Sequence, residues 1–123
     1  MKEVRLRTNP EWKEQNFAFL APNGCNYNSP TRYLSSVIGL CGCASDSIEE
    51  LAVYLMKKMY EARINDTSFY YEYKDKTELE QDHQELMLHM LGHADLTEHG
   101  SAVRGSWLTD KGVEMCKILF EVI

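Results

Sequence analysis

Along the chain, the pattern of apolar and polar positions switches between a period of two and a period near 3.6. From Lys2 to Thr8 it alternates, with Val4 and Leu6 on one side, which predicts a short strand. Asn9-Pro10-Glu11 places a helix cap before a proline at the first helical position, predicting a helical turn as far as Gln15. The apolar run Phe17-Ala18-Phe19-Leu20-Ala21 ends in the turn residues Pro22-Asn23-Gly24 and reads as a second strand. Ser29-Pro30 repeats the cap-and-proline signal, and Tyr33, Leu34, Val37 and Ile38 follow at helical spacing until Gly39. Ser47-Ile48-Glu49-Glu50 has the form of a capping box. Behind it Ile48, Leu51, Ala52, Leu55, Met59 and Ala62 make one apolar stripe that should run to Ile64, where Asn65-Asp66 breaks it. Ser68 to Tyr73 alternates again, with Phe69, Tyr71 and Tyr73 on one face of an expected strand.

Thr77-Glu78-Leu79-Glu80 is a second capping box. Leu79, His83, Leu86 and Met90 then share a helical face, and Gly92 is the expected left-handed residue that ends the helix. Leu96 and Val103 with Trp107 mark two short strands around a turn at His99-Gly100-Ser101. Thr109 should cap a last helix whose buried stripe is Val113, Cys116, Leu119, Phe120 and Ile123. The expected architecture is a single α+β domain over residues 1–123, with short strands in an N-terminal extension. There is no internal repeat, low-complexity segment or linker.

Helix, hairpin, then Leu108-Thr109-Asp110-Lys111-Gly112 opening a helix, with Gly92, Leu96, Gly100, Arg104 and Trp107 at the joints, resembles the C-terminal half of a winged-helix domain. The winged-helix-like portion spans about residues 47–123 if the helix from Ile48 and the strand from Ser68 are its first elements. The resemblance implies a recognition helix that enters the major groove of DNA and a wing that contacts phosphate. Here that helix would run from Thr77 to Leu91 and would carry Glu78, Glu80, Asp82 and Glu85.

Charge changes this picture. The net charge is -6, and the excess of acid lies in the second half of the chain. Residues 72 to 98 hold eight carboxylates against Lys74 and Lys76. DNA affinity comes largely from Lys and Arg neutralising phosphates, so an acidic recognition helix opposes it. With 44% hydrophobic residues the chain can build a core without disulfides or a structural metal. Lys2, Arg5 and Arg7 are followed by no apolar run of signal length, and no stretch is long enough to span a membrane, so a cytoplasmic location with free thiols at Cys25, Cys41, Cys43 and Cys116 is expected.

His89, His93 and His99 follow the His-x3-His-x5-His spacing of a class of zinc proteases. Those enzymes need a glutamate directly after the first histidine and a glycine three residues after the second, whereas this chain has Met90 and Leu96. A helix ending at Gly92 would also part His89 from His93, so neither a metal site nor a cofactor is expected. Cys41-Gly-Cys43 lacks a second cysteine pair and fits a small-residue turn as well as a redox or metal role. Tyr70, Tyr71 and Tyr73, with Tyr54 and Tyr60, could stack bases only beside a basic groove, and this neighbourhood is acidic. No phosphate-binding loop, nucleophile elbow or carboxylate dyad stands out, so an enzyme is not expected.

The expected function is therefore binding or regulation, as an adaptor or inhibitor. Glu78, Asp82, Glu85 and His89 on the acidic helix, with His99, Arg104 and Trp107 on the hairpin, would engage a protein with a basic surface. The alternative is a dimeric winged-helix transcriptional regulator whose N-terminal arm supplies phosphate contacts through Lys2, Arg5 and Arg7. The C-terminal helix, ending in Phe120-Glu121-Val122-Ile123 with little polar cover, is a candidate homodimer surface.

Overall fold

Ser29 opens the first helix, α1 (Pro30–Val37), by accepting the Arg32 amide on its hydroxyl, and the proline needs no amide partner at that position. Gly39 then takes the left-handed conformation, φ +86°, that closes the helix at low steric cost. The fold is read from a computed structural model that describes residues 2–8, 29–40, 45–69 and 75–123. The expected turn after Asn9, the strand Phe17 to Ala21, Cys25, Cys41, Cys43, and Tyr70, Tyr71 and Tyr73 lie outside the described residues.

The long helix α2 (Asp46–Ile64) begins with Ser45 at its cap rather than Ser47, and the expected box at Ser47 does not form. The two hydroxyls face each other instead, Ser45 Oγ and Ser47 Oγ lying 3.1 Å apart. Glu49 turns inward, 3% exposed, and its carboxylate meets Arg32 Nη1 of α1 at 3.4 Å. Ala52, Leu55, Met56, Met59 and Tyr60 of α2 form the centre of the core, against which α1 and the C-terminal half of the chain pack.

Helix α3 (Glu78–His93) starts with the expected capping box, Thr77 Oγ1 accepting from the Glu80 amide and Glu80 Oε1 from the Thr77 amide. Two expectations for this helix fail. Its buried face is Gln84, Met87, Leu88 and Leu91, while Leu79 and Leu86 are 64% and 59% exposed. The helix carries two apolar stripes, and the core takes the one made by Met87, Leu88 and Leu91. Gly92 does not end the helix either. The chain continues helically through His93, and Asp95 adopts the left-handed turn at φ +63°.

After that turn, β2 (Thr97–Glu98) pairs antiparallel with β3 (Trp107–Leu108), Glu98 opposite Trp107. The connection is wider than the expected tight hairpin, because Val103–Gly105 forms a turn of 3-10 helix instead of entering a strand. Helix α4 (Asp110–Leu119) follows, with Met115, Cys116, Ile118 and Leu119 buried. The expected helical stripe stops there. Phe120–Val122 is a strand, β4, which pairs antiparallel with β1 (Val4–Leu6), Leu6 opposite Phe120. Phe120 remains in the core, its ring 6.3 Å from that of Tyr60, but Ile123 is 62% exposed. The molecule is thus an α+β domain of four helices and two small antiparallel strand pairs among the described residues. No helix among them is long and apolar enough to cross a membrane.

Candidate functional site

The Leu108 to Gly112 motif fixes how α3, the hairpin and α4 meet. Thr109 Oγ1 accepts from the Gly112 amide at 2.9 Å and donates to the Asp95 carbonyl. Lys111 Nζ donates to the Ala94 carbonyl at 3.1 Å, placing a cation at the C-terminal end of α3 where carbonyls lack helical partners. The Thr109 amide donates to the Leu96 carbonyl at 3.1 Å, and Gly112 leaves no room for a side chain against that same carbonyl. The motif is therefore a bracket between two helix ends. It sets the exit of α3 and the root of the hairpin together.

Held this way, α3 turns Glu78, Leu79, Asp82, Leu86, His89 and His93 away from the core, all of them exposed. Leu79, Asp82, Leu86, His89 and His93 recur at alternating steps of three and four residues, which keeps them on one line along the helix. Glu85 is half-buried at its flank. Of the carboxylates here, Glu80 is held below its ordinary 4.5 by the Thr77 hydroxyl and then the Thr77 amide.

The hairpin residues divide. His99, at the end of β2, reaches α3: its ring centre lies 5.7 Å from that of His89, with the planes at 88°. An open cleft of about 380 Å³ forms between them, lined by His89, Gly92, His93, Thr97, Glu98 and His99. Helical continuity through His93 is what brings His89 and His93, four residues apart, to the same cleft. Among the described residues no group of three or more His, Cys, Asp or Glu side chains is placed to hold a metal ion together.

Arg104 is half-buried in the 3-10 turn, and Trp107, 49% exposed, belongs to a different cavity of about 300 Å³. Met59, Arg63, Phe69 and Leu108 line that cavity with Trp107, and it shares no residue with the histidine cleft. The expected patch therefore splits into an α3 face joined to His99 and a separate tryptophan cavity. Leu79 and Leu86 lie outside the expected site because their helical spacing with His83 and Met90 fits a core-facing stripe. Cys116, 0% exposed, has its thiol pushed well up by burial, which suits a packed residue and not a nucleophile.

No family model matches the chain, and no curated protein or solved structure matches it either.

Proposed function

We propose that this chain is a non-enzymatic binding protein that docks a basic surface of a partner protein on the outward face of α3, with His99 at the end of that face. The observation that carries the reading is the pairing of Leu79 and Leu86, each more than half exposed, with Glu78 and Asp82 on the same side of one helix. Isolated exposed leucines are ordinary, but two on one line with Asp82 between them and Glu78 beside them supply apolar contact and charge steering together. Helix, hairpin and helix follow in the order of a winged helix, in which α3 would be the recognition helix. Its acidic face suits lysine and arginine side chains, including those of a surface that itself binds nucleic acid, and repels phosphate.

The stripe of α4 faces the core, so self-association through that helix is not part of this reading. The test begins with a partner recovered by affinity purification and measures its binding to variants. Glu78→Lys with Asp82→Lys should weaken binding most at low salt, by slowing association. Leu86→Ser should weaken it at every salt concentration while the fold stays intact. Affinity untouched by both changes would move the interface off α3. Binding of duplex DNA with a steep salt dependence would favour the DNA-binding regulator instead.

A further inference from the structure

We propose that His89 and His99 form a two-imidazole seat for a divalent transition-metal ion such as Zn²⁺, which clips the loop after β2 onto α3. The ring separation is close to what an ion needs. Two imidazoles bound to one tetrahedral ion at 2.0–2.1 Å have their ring centres about 5 Å apart, and here the centres are 5.7 Å apart with the planes at 88°, so both rings turn and close by under about 1 Å to hold one ion.

The protonation of His99 fits as well. Its Nδ1 lies 2.8 Å from the Gly100 carbonyl oxygen. A carbonyl only accepts, so the proton of the neutral ring sits on Nδ1 and Nε2 is left with its lone pair. A backbone carbonyl holding the far nitrogen is the usual way a metal-binding imidazole is oriented.

Two histidines leave about two positions of a tetrahedral ion to water, which the open cleft admits. Glu98 adds a negative charge to its wall. His93, one turn along α3, lines the cleft but is not needed for the pair.

The seat differs from a catalytic zinc centre, because Met90 stands where a general base would be. Both histidines lie on the face proposed for docking, but the seat does not require that docking, and its test needs no partner protein. Zn²⁺ is titrated by calorimetry into the full chain, prepared without a histidine tag, and the loop 99–106 is followed by amide hydrogen exchange. The expected result is one Zn²⁺ per chain at pH 7.5, slower exchange of the loop, and binding that weakens as the pH is lowered, because protons compete with the ion for the ligand nitrogens. His89→Ala and His99→Ala should each weaken binding more than tenfold, and His93→Ala less than threefold.

Circular dichroism of each variant shows whether the fold is retained. His89→Gln and His99→Gln serve where an alanine variant does not fold. No binding by the wild type, or binding that survives loss of both His89 and His99, would overturn the proposal. So would a loss on His93→Ala as large as on His99→Ala, since that would place the ion on α3 alone.

Discussion

Gly112 and Gly92 lie close together in the fold, yet the same substitution should act on them with opposite sign. A Cβ built on Gly112 falls 1.9 Å from the Leu96 carbonyl oxygen and 3.0 Å from its carbon. The obstacle is backbone, so it cannot rotate away. Relief requires a displacement of about 1 Å between the start of α4 and the turn after α3, and the bonds there are the ones that move. Overpacking of this kind costs about 1–3 kcal/mol. Loss of the Thr109 to Leu96 backbone bond adds about 1 kcal/mol, and a weakened Thr109 cap adds about 1 kcal/mol. Alanine returns up to about 1 kcal/mol of helix propensity. Gly112→Ala should therefore destabilise by about 3 kcal/mol, which lowers Tm by roughly 10–18 °C in a domain of this size. At Gly92 the nearest atoms to a new Cβ are Thr97 Oγ1 at 3.7 Å and Thr97 O at 3.8 Å, ordinary contacts. With the helix continuing through it, Gly92→Ala should stabilise by about 0.5–1 kcal/mol. Urea unfolding followed by circular dichroism, with equal slopes for all three proteins, measures both. A Gly112→Ala protein within about 0.5 kcal/mol of wild type would refute the close approach. A destabilised Gly92→Ala protein would mean that Gly92 and not Asp95 makes the left-handed turn.

Two further outcomes follow from the packing and the caps. Phe120→Ala should cost about 3–5 kcal/mol in the same unfolding assay, because the ring is 1% exposed and stacks on Tyr60; a loss under about 1 kcal/mol would show that β4 does not seat it. The Glu80 carboxyl, held below 4.5 in the folded chain, gives a stabilising contribution that is complete above pH 4.5 and is lost as the pH falls through its lower folded value. In Thr77→Ala its NMR titration midpoint should rise toward 4.5, and an unmoved midpoint would show the capping box to be unoccupied in solution.

Local signals in the sequence predicted the elements that local chemistry controls. Ser29-Pro30, Thr77 with Glu80, and Thr109 with Gly112 each cap a helix at the expected place, because the bonds involved span only a few residues. The failures are those that depend on distant partners. Apolar periodicity on α3 fits either Leu79, Leu86 and Met90 or Met87, Leu88 and Leu91, and only the position of α2 decides between them. Phe120 to Ile123 continues the helical spacing of α4, yet β1, more than a hundred residues away in sequence, draws these residues into a strand. Ser47 lost its cap role because the helix begins earlier, the Ser45 carbonyl accepting from the Ile48 and Glu49 amides and leaving Ser47 inside the first turn. The acidic and histidine residues of the candidate site were visible as residue types. The joining of His93 to them was not, since it needed the helix to continue past Gly92.

The pairing of β1 with β4 has a consequence for how the chain is made. Val4 lies opposite Val122, so the first strand waits for more than a hundred further residues before its partner exists. At about 5–20 residues per second, that wait is roughly 6–24 s. During it Leu55, Met56 and Tyr60 lack the cover that Met115 to Phe120 give them in the finished domain. A ribosome that stalls before Phe120 would hold a nascent chain in which part of the core face of α2 is uncovered and open to proteases and chaperones, and that face would be closed in one late step.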